Sequence, residues 1–333
     1  MTVLVTGGSG LVGGAIIDEL LKNNYEVCAL INEKSVIGKK CSVVKADIRD
    51  LSILKNLPIP GKINAVIHCA GLAHQFTRRE EKDFWEINVE GTKNISELAA
   101  AKSAEQFILI SSVSVYGKSD GREKGSGEKN LSAAQGLDET AECRPDGIYA
   151  RSKLESETAA RQVCDHQKMN LVILRLATVV GENERGNVFR LIKTIDQGKF
   201  RWIGNGGNLK SLIYKGDVAR ACLKVLGRND APGIYNVTAD ALPMKEIVEQ
   251  IHRRLGRANP RFSISPVILN GLFALNRRTF NIKKLDATAE TVRKWLADDI
   301  FAGEKFNRRY RFRIETPISE AIAREVASYL KSK

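Results

Sequence analysis

The first half of the chain alternates short apolar runs, rich in β-branched residues, with stretches whose apolar residues recur at helical spacing. The apolar runs predict strands at 2–6, 25–31, 41–46, 64–70, 106–112 and 170–177. The stretches between them predict helices near 10–23, 50–56, 83–102 and 149–168. Continuous apolar strands that alternate with helices are typical of a parallel sheet covered on both faces. The pattern therefore predicts a doubly wound α/β fold.

The second half of the chain has a weaker alternation. After Gly181 the strand and helix signals are interrupted by turn sequences at 204–208 and 231–233. We therefore expect a large domain at 1–180 and a smaller lobe at 181–333, some of whose strands, such as 233–238, return to the main sheet. The polar, glycine-rich stretch from Lys118 to Arg144 is longer than an ordinary βα connection, and it predicts a mobile surface insertion.

Composition indicates an ordinary globular protein that folds alone, since 43% of the 333 residues are hydrophobic and 27% are charged. The six cysteines and four histidines are scattered without CxxC or HxxxH spacing. This distribution predicts reduced thiols and no metal site. The sequence shows neither a leader peptide nor an uninterrupted apolar stretch of about 18 residues, so we expect a cytoplasmic protein.

Most of the formal charge of +13 comes from residues 251–333, which hold 18 Lys or Arg and 8 Asp or Glu. A basic surface attracts nucleic acid, an anionic membrane or a small diphosphate. Because no nucleic-acid-binding motif is present, we expect no nucleic-acid partner. The apolar stretch 264–275, followed by Arg277 and Arg278, fits a membrane-surface helix or a packed helix of the second lobe. We expect the packed helix and no membrane association.

A glycine-rich turn, TGGSGLVG at 6–13, follows the first predicted strand and opens the first helix. Gly7 permits the tight turn, Gly10 lets the backbone approach a pyrophosphate, and Gly13 allows close packing of the helix on the sheet. The amides at the start of the helix then bind phosphate. The context of strand, turn and helix favours a dinucleotide site over a merely tight turn.

Tyr149 and Lys153 form a YxxxK pair, whose spacing places both side chains on one face of a helix. A lysine ammonium near a phenol lowers the phenol's pKa from its ordinary value of about 10, as proton transfer at working pH requires. The lysine can also donate to a nicotinamide ribose. A surface Tyr and Lys on an amphipathic helix would show the same spacing, but the position after the fifth predicted strand favours the acid/base pair.

Together these motifs resemble the extended short-chain dehydrogenase/reductase family, in its nucleotide-sugar epimerase and reductase branch. The glycine spacing is TGxxGxxG, and further matches are Asp47-Ile48, HCAGLAH at 68–74, Asn88 in INVEGT and ISSVSVYG at 110–117. The resemblance implies a Rossmann-type NAD(P)-binding domain at 1–180 and a mainly substrate-binding lobe at 181–333. The cofactor-binding residues that it implies are Gly7, Ser9, Gly10, Leu11, Val12, Gly13, Asn32, Asp47, Ile48, Ala70, Gly71, Leu72, Asn88, Tyr149 and Lys153.

The same resemblance implies the catalytic and substrate-binding residues. The catalytic set is Ser112, Tyr149 and Lys153, with Ser112 as the hydroxyl that hydrogen-bonds the reacting oxygen. The substrate-binding residues are His74, Ser112, Tyr149, Asn187, Ile203 and Lys210. In this set Asn187 meets the diphosphate and Ile203 lies in the segment that meets the base. Lys210 stands where the branch usually has a phosphate-binding arginine, so it keeps the charge and loses the bidentate fork.

The end of the second predicted strand leaves the cofactor open between NAD and NADP. NAD-binding proteins have an acidic residue there for the ribose hydroxyls, whereas this chain reads Ile31-Asn32-Glu33-Lys34. Asn32 or Glu33 can take the ribose, and Lys34, Lys39 or Lys40 can meet a 2′-phosphate. Because no arginine stands at the strand end, we expect NAD as the cofactor.

Three reactions belong to the branch that the chain resembles. Dehydratases carry an Asp-Glu pair after the catalytic hydroxyl residue, and this chain has Val113-Ser114 there, so we do not expect dehydration. The resemblance implies a 4-epimerase of a UDP-hexose or UDP-N-acetylhexosamine, working through a 4-keto intermediate. Thr178, where many epimerases have asparagine, favours the alternative, a 4-keto reductase of a UDP-deoxy-N-acetylhexosamine. A non-enzymatic cofactor-binding protein is disfavoured because Tyr149 and Lys153 are present. We also expect a homodimer.

Overall fold

A computed structural model gives the fold and describes residues 1–59, 62–73, 80–117, 136–230, 232–275, 289 and 292–333. Some sequence expectations lie outside these residues. They concern His74, residues 118–135 of the expected insertion, and the Arg277-Arg278 pair.

The strands of the described residues agree with the predicted ones to within two residues at each end in the first half of the chain. They are β1 Thr2–Thr6, β2 Glu26–Ile31, β3 Ser42–Lys45, β4 Ala65–His68, β5 Gln106–Ser112, β6 Asn170–Leu176, β7 Thr178–Val180, β8 Trp202–Ile203, β9 Leu209–Lys210, β10 Leu212–Tyr214, β11 Gly233–Val237, β12 Leu242–Pro243 and β13 Ser263–Ile264.

The helices of the first half also lie where the sequence predicts them. The α-helices are α1 Leu11–Lys22, α2 Leu51–Lys55, α3 Glu81–Phe84, α4 Gly91–Ala101, α5 Ile148–Gln167, α6 Asn187–Asp196, α7 Lys215–Val225, α8 Met244–Leu255, α9 Pro266–Leu275, α10 Glu304–Tyr310 and α11 Ile318–Lys331. One local feature departs from the prediction of a regular helix at 83–102. Between α3 and α4 the chain forms a π-helix at Trp85–Glu90.

Seven of the described strands form one parallel sheet in the order β11-β6-β5-β4-β1-β2-β3. The direction of the strand order reverses between β1 and β4, which are paired from Val3 with Ala65 to Thr6 with His68. In doubly wound sheets, ligands bind outside the carboxyl ends of the strands at such a reversal. The sheet therefore places the ends of β1 and β4 at the expected binding crevice, and β11 joins it from the second half of the chain.

Apolar side chains cover both faces of the sheet, as the continuous apolar strands predict. In β1, Val3 and Val5 pack with α1 and α7 on one face, while Leu4 packs with α4 and α5 on the other. Successive strand residues point to opposite faces, so a strand in the middle layer needs apolar residues at every position.

The second lobe has its own apolar cluster, in which Ile192 of α6, Ile251 of α8 and Ile322 of α11 meet. The predicted helix at 264–275 is present as α9. Its Leu269 and Phe273 pack in a smaller cluster that also contains Val292. Within the described ranges, no helix is both long enough and apolar enough to cross a lipid bilayer.

Candidate active site

The glycine turn joins β1 to α1 at the strand reversal. Gly7 has a φ of +69°, its amide donates to the carbonyl of Leu30 at 3.0 Å, and the Gly10 amide donates to the Gly7 carbonyl at 2.9 Å. A Cβ on Gly7 would lie 2.7 Å from the Ala70 amide nitrogen, and one on Gly13 would overlap the Gly7 carbonyl. Only glycine fits these positions, and the turn holds the chain close to the loop after β4.

The first turn of α1 can bind phosphate. Gly10 is its N-cap and supplies no side-chain cap, so the first amides keep their donors for a ligand. Three further residues that were predicted to bind the cofactor lie at this turn. Ser9 is exposed, and Leu11 and Val12 are half-buried.

Thr6 and His68, at the ends of β1 and β4, belong to a buried hydrogen-bonded chain that the sequence did not reveal. The Thr92 hydroxyl donates to the Asn88 carbonyl at 2.5 Å, so its oxygen accepts from His68 Nε2 at 3.0 Å. The neutral ring then accepts at Nδ1 from the Thr6 hydroxyl at 2.7 Å. Thr6 Oγ1 in turn accepts from the amide of Ala70 at 3.1 Å. This series of hydrogen bonds thus links the loop after β4 to the helical segment that contains Asn88.

Burial keeps the His68 ring neutral. Burial and, to a smaller extent, the nearby charge of Lys153 lower the pKa of His68 to about 3. A neutral ring with its proton on Nε2 is the form that satisfies both threonine hydroxyls.

We expect His68 to make stability depend on pH. The unfolded ring takes up a proton below about pH 6.5 while the folded ring stays neutral, so its contribution is complete above that pH and is lost as pH falls towards 3. At about pH 5 the loss should be about 2 kcal/mol. Urea unfolding of the wild type and His68→Gln at about pH 7.5 and about pH 5 measures it. Equal losses in both proteins would show that His68 does not carry the effect.

Asn88 lies in the π-helix and ties the loop after β4 to α5. Its Oδ1 accepts from the Leu72 amide at 2.7 Å, and its Nδ2 donates to the Leu72 carbonyl at 3.1 Å and to Ser152 Oγ at 2.8 Å. A Cβ on Gly71 would come within 2.9 Å of the Asn88 oxygen. The structure therefore brings Gly71, Leu72 and Asn88 together, beside the residue that precedes Lys153.

Ser112, Tyr149 and Lys153 meet where β5 ends against the start of α5. Lys153 is 7% exposed, and its ammonium donates to the Ile110 carbonyl at 2.7 Å. The Ser112 hydroxyl is hydrogen-bonded to Tyr149, and its oxygen also accepts from the Ser114 amide at 3.1 Å. The structure thus brings Ser112 into hydrogen-bond contact with Tyr149 and places Lys153 one helical turn further along α5.

Both ionisable groups of this triplet are shifted by burial. Burial raises the pKa of Tyr149, opposite to the lowering expected from a neighbouring lysine, and the hydrogen bond from Ser112 opposes that rise. The pKa of Lys153 is lowered to about 8 by burial, against the attraction of Glu157. Both shifts have the same physical cause, because burial disfavours the charged form of each group, and shifted pKa values are concentrated at functional sites.

A buried ion pair lies one helical turn beyond Lys153. The guanidinium of Arg175 in β6 donates to both carboxylate oxygens of Glu157, at 3.0 and 2.6 Å, and both side chains are 4% exposed. The Ser111 hydroxyl donates to the same carboxylate at 2.5 Å. Arg175 also lies over the Tyr116 ring, 4.9 Å from its centroid. An arginine inside an apolar strand was the one sequence signal of this pair.

The predicted adenosine side of the site is more open. Asn32 is exposed after β2, and its Oδ1 accepts from the Lys34 amide at 3.2 Å. The Arg49 guanidinium donates to both carboxylate oxygens of Asp47, at distances of 2.5 to 3.0 Å, and these hydrogen bonds lower the pKa of Asp47. Lys39 is ion-paired with Asp18 of α1. Ile48 is buried, close to Gly91.

The predicted substrate residues of the second lobe lie on separate elements. Asn187 is exposed as the first residue of α6, and Ile203 is half-buried in β8. Lys210, in β9, has its ammonium 2.6 Å from Asp299 and 3.0 Å from the Lys294 carbonyl. The ammonium that was predicted to meet a phosphate therefore already has two protein partners. Phosphate contact by these residues stays a prediction.

A seven-stranded parallel sheet with a glycine turn after β1, and with Ser112, Tyr149 and Lys153 where β5 meets α5, is typical of a dinucleotide-dependent enzyme of the short-chain type. Residues 3–238 match the model of the NAD-dependent epimerase/dehydratase family, and the chain belongs to that family. The expectations of an extended short-chain dehydrogenase/reductase and of NAD, the cofactor that this family uses, are confirmed.

Individual relatives and structures agree with this assignment. The chain is 27% identical over 263 residues to an N-acetyl-α-D-glucosaminyl-diphospho-ditrans,octacis-undecaprenol 4-epimerase of Escherichia coli O157:H7, covering 78% of this chain and 73% of the relative. It is 29% identical over 267 residues to a putative UDP-glucose 4-epimerase of Methanocaldococcus jannaschii, covering 76% and 82%. The UDP-glucose 4-epimerase of Thermus thermophilus, solved with NAD, superimposes with a TM-score of 0.75 at 21% identity, covering all of both chains. The predicted fold class is confirmed.

Proposed function

We propose that the protein is a nucleotide-sugar 4-epimerase that acts on a UDP-hexose or UDP-N-acetylhexosamine through a 4-keto intermediate. The observation that carries the proposal is the assembled triplet of Ser112, Tyr149 and Lys153, next to a loop that Asn88 fixes against the glycine turn. Substrates of relatives support the sugar class, since the putative M. jannaschii enzyme is a UDP-glucose 4-epimerase by name.

The described residues fit NAD, because the glycine turn leaves helix amides for its pyrophosphate and has no room for a side chain at Gly7. Bound NAD supplies a hydride acceptor for the carbon at position 4 of the sugar. Tyr149 takes the proton of the 4-hydroxyl and later returns it. Ser112 donates a hydrogen bond to the same oxygen. Lys153 stabilises the phenolate by its charge, and it has two N–H donors beyond its bond to Ile110 with which to hold a ribose.

A 4-keto reductase is the second candidate, and Thr178 is the observation that favours it. This threonine is exposed at the start of β7, where many epimerases of the branch have asparagine. A reductase would use the same triplet to protonate the 4-oxygen, but only in one direction, with reduced cofactor supplied from solution. Dehydration is not proposed, because the position after Ser112 is the buried Val113 in place of an acidic residue.

One experiment separates these functions. The purified protein is incubated with UDP-glucose, UDP-N-acetylglucosamine and polyprenyl-diphospho-N-acetylglucosamine without added cofactor, and the products are resolved by NMR. An epimerase should form the 4-epimer of a UDP-sugar and retain NAD through purification. A reductase should need stoichiometric reduced cofactor and a 4-keto sugar. Turnover of the lipid-linked sugar alone would overturn the nucleotide part of the proposal, and no turnover under either condition would overturn both functions.

We expect Asn32→Asp to increase the preference for NAD over NADP at least tenfold, or about 1.4 kcal/mol. A carboxylate at this exposed position would accept both ribose hydroxyls and repel a 2′-phosphate, whereas the present amide has one acceptor oxygen and no charge. Titration of both cofactors into wild type and variant measures the ratio. Glu33→Gln is the control, and a change in that variant but not in Asn32→Asp would move the ribose contact to Glu33.

A further inference from the structure

Helix α9 is apolar on two faces, and only one of them is covered. Leu269 and Phe273 pack inward, whereas Val267, Ile268 and Leu272 are 79%, 62% and 57% exposed. Phe262, just before β13, is 89% exposed. A helix that is apolar all round is ordinarily buried, and contiguous exposed apolar groups mark a contact surface. We call Phe262, Val267, Ile268 and Leu272 the α9 surface.

The sequence run that contains α9 carries charge of a single sign. From Gln250 to Leu285 the sequence holds eight Lys or Arg and no Asp or Glu. Among the described residues of this run, Arg253, Arg254 and Arg261 are exposed. Arg257 forms an ion pair with Asp196 of α6, at 3.1 Å. Apolar side chains flanked by exposed cations are the combination that binds an anionic lipid surface.

We infer that the α9 surface docks the protein on an anionic lipid bilayer, with α9 lying in the plane of the interface. Ten residues span about 15 Å, too short to cross the hydrocarbon core of about 30 Å. A second copy of the chain fits less well, because a twofold contact would set each basic run against its twin. The packed helix expected from the sequence is thus packed on one face only, and the inference departs from the expectation of no membrane association.

Docking would bring the substrate lobe to the membrane. The inner face of α9 shares its cluster with Ile203, and β13, between Phe262 and α9, pairs with β8 through Ile264 and Ile203. The residue predicted to lie near the base of the substrate is thus one layer beneath the α9 surface. The inference rests on exposure and charge and holds for any substrate.

The test is sedimentation of the full-length protein with vesicles of phosphatidylglycerol and phosphatidylcholine in equal parts. The wild type should bind these vesicles, bind pure phosphatidylcholine weakly, and be released by salt. The double variant Val267→Asp/Ile268→Asp should partition at least tenfold less. These positions lie in the first turn of α9, where acidic residues favour a helix, so the fold should persist. The thermal unfolding midpoint checks this.

The matched control is Ile53→Asp/Leu330→Asp, which removes two other exposed apolar side chains, 43% and 47% exposed, from different elements. It should bind vesicles like the wild type. Equal binding by the α9 variant, or no binding by the wild type, overturns the inference. If light scattering shows dimers that the α9 variant loses while vesicles bind neither protein, the surface joins two copies instead. Turnover of a soluble UDP-sugar should be unchanged in the α9 variant, so this result is independent of the proposed reaction.

Discussion

Tyr149→Phe should lower kcat at least about a hundredfold and leave NAD binding nearly unchanged. The substitution removes only the hydroxyl, which the proposed mechanism needs to take and return the proton of the 4-hydroxyl. The aromatic ring and the Asn88–Ser152 contact that supports the start of α5 remain. Steady-state kinetics and NAD titration measure the two effects separately. The dissociation constant for NAD should stay within about threefold, which corresponds to less than 1 kcal/mol.

Two further variants sharpen this test. Lys153→Ala should reduce both turnover and NAD affinity, because the ammonium is proposed to act on the phenol and on the ribose. Tyr25→Phe, in the connection before β2, should change neither. Activity of Tyr149→Phe above about one percent of wild type would assign the proton transfer to another group. Loss of turnover in Lys153→Ala with unchanged NAD affinity would show that the lysine does not hold the ribose.

Arg175→Leu should destabilise the protein by about 3–5 kcal/mol. The substitution leaves the Glu157 carboxylate, 4% exposed, without the guanidinium that now contacts both of its oxygens. An unpaired buried charge costs far more than the net contribution of the pair, because two desolvated ions gain back only part of their lost hydration. Chemical unfolding of the wild type and the variant measures the difference.

An exposed ion pair provides the control. Arg309→Leu breaks the contact of Arg309 with Asp230, whose side chains are 42% and 65% exposed, and it should cost less than about 1 kcal/mol. The double variant Arg175→Leu/Glu157→Leu should recover much of the stability, since it removes both buried charges. A loss in Arg175→Leu no larger than in Arg309→Leu would show that water reaches Glu157 in solution.

The features that the sequence predicted well depend on local spacing. Both ends of strand β1 were predicted correctly, because its apolar run is short and is followed directly by the glycine turn. Helix α5 was predicted to within one residue at each end. The turn at Gly7 was predictable because few residues other than glycine tolerate its backbone. The resemblance singled out Asn88 but did not predict its contact with Leu72, since nothing in the spacing of 16 residues indicates it.

The features that were missed depend on contacts between distant segments. Glu157 belongs to α5 and alone looks like an ordinary charged residue of a solvated face. Arg175 stands out within the apolar strand β6, but the sequence does not show which residue it pairs with. His68 could be predicted as buried, but its two threonine partners are 62 and 24 residues away. Lys210 and Asp299 are 89 residues apart in the sequence. Their ion pair was not predicted, because the sequence suggested only a phosphate as the partner of this lysine.

The π-helix at Trp85–Glu90 makes the length of this segment matter more than its composition. A π-turn holds one residue more than an α-turn, so deleting one residue here would let α3 run into α4 as a continuous α-helix. Positions on either side of the deletion would then be rotated by about 100° relative to each other. If Phe84 stayed buried, Asn88 could then no longer reach Leu72, and Thr92 could no longer reach His68. Substitutions at the exposed Trp85 should be tolerated by relatives, whereas insertions and deletions between Phe84 and Gly91 should be selected against.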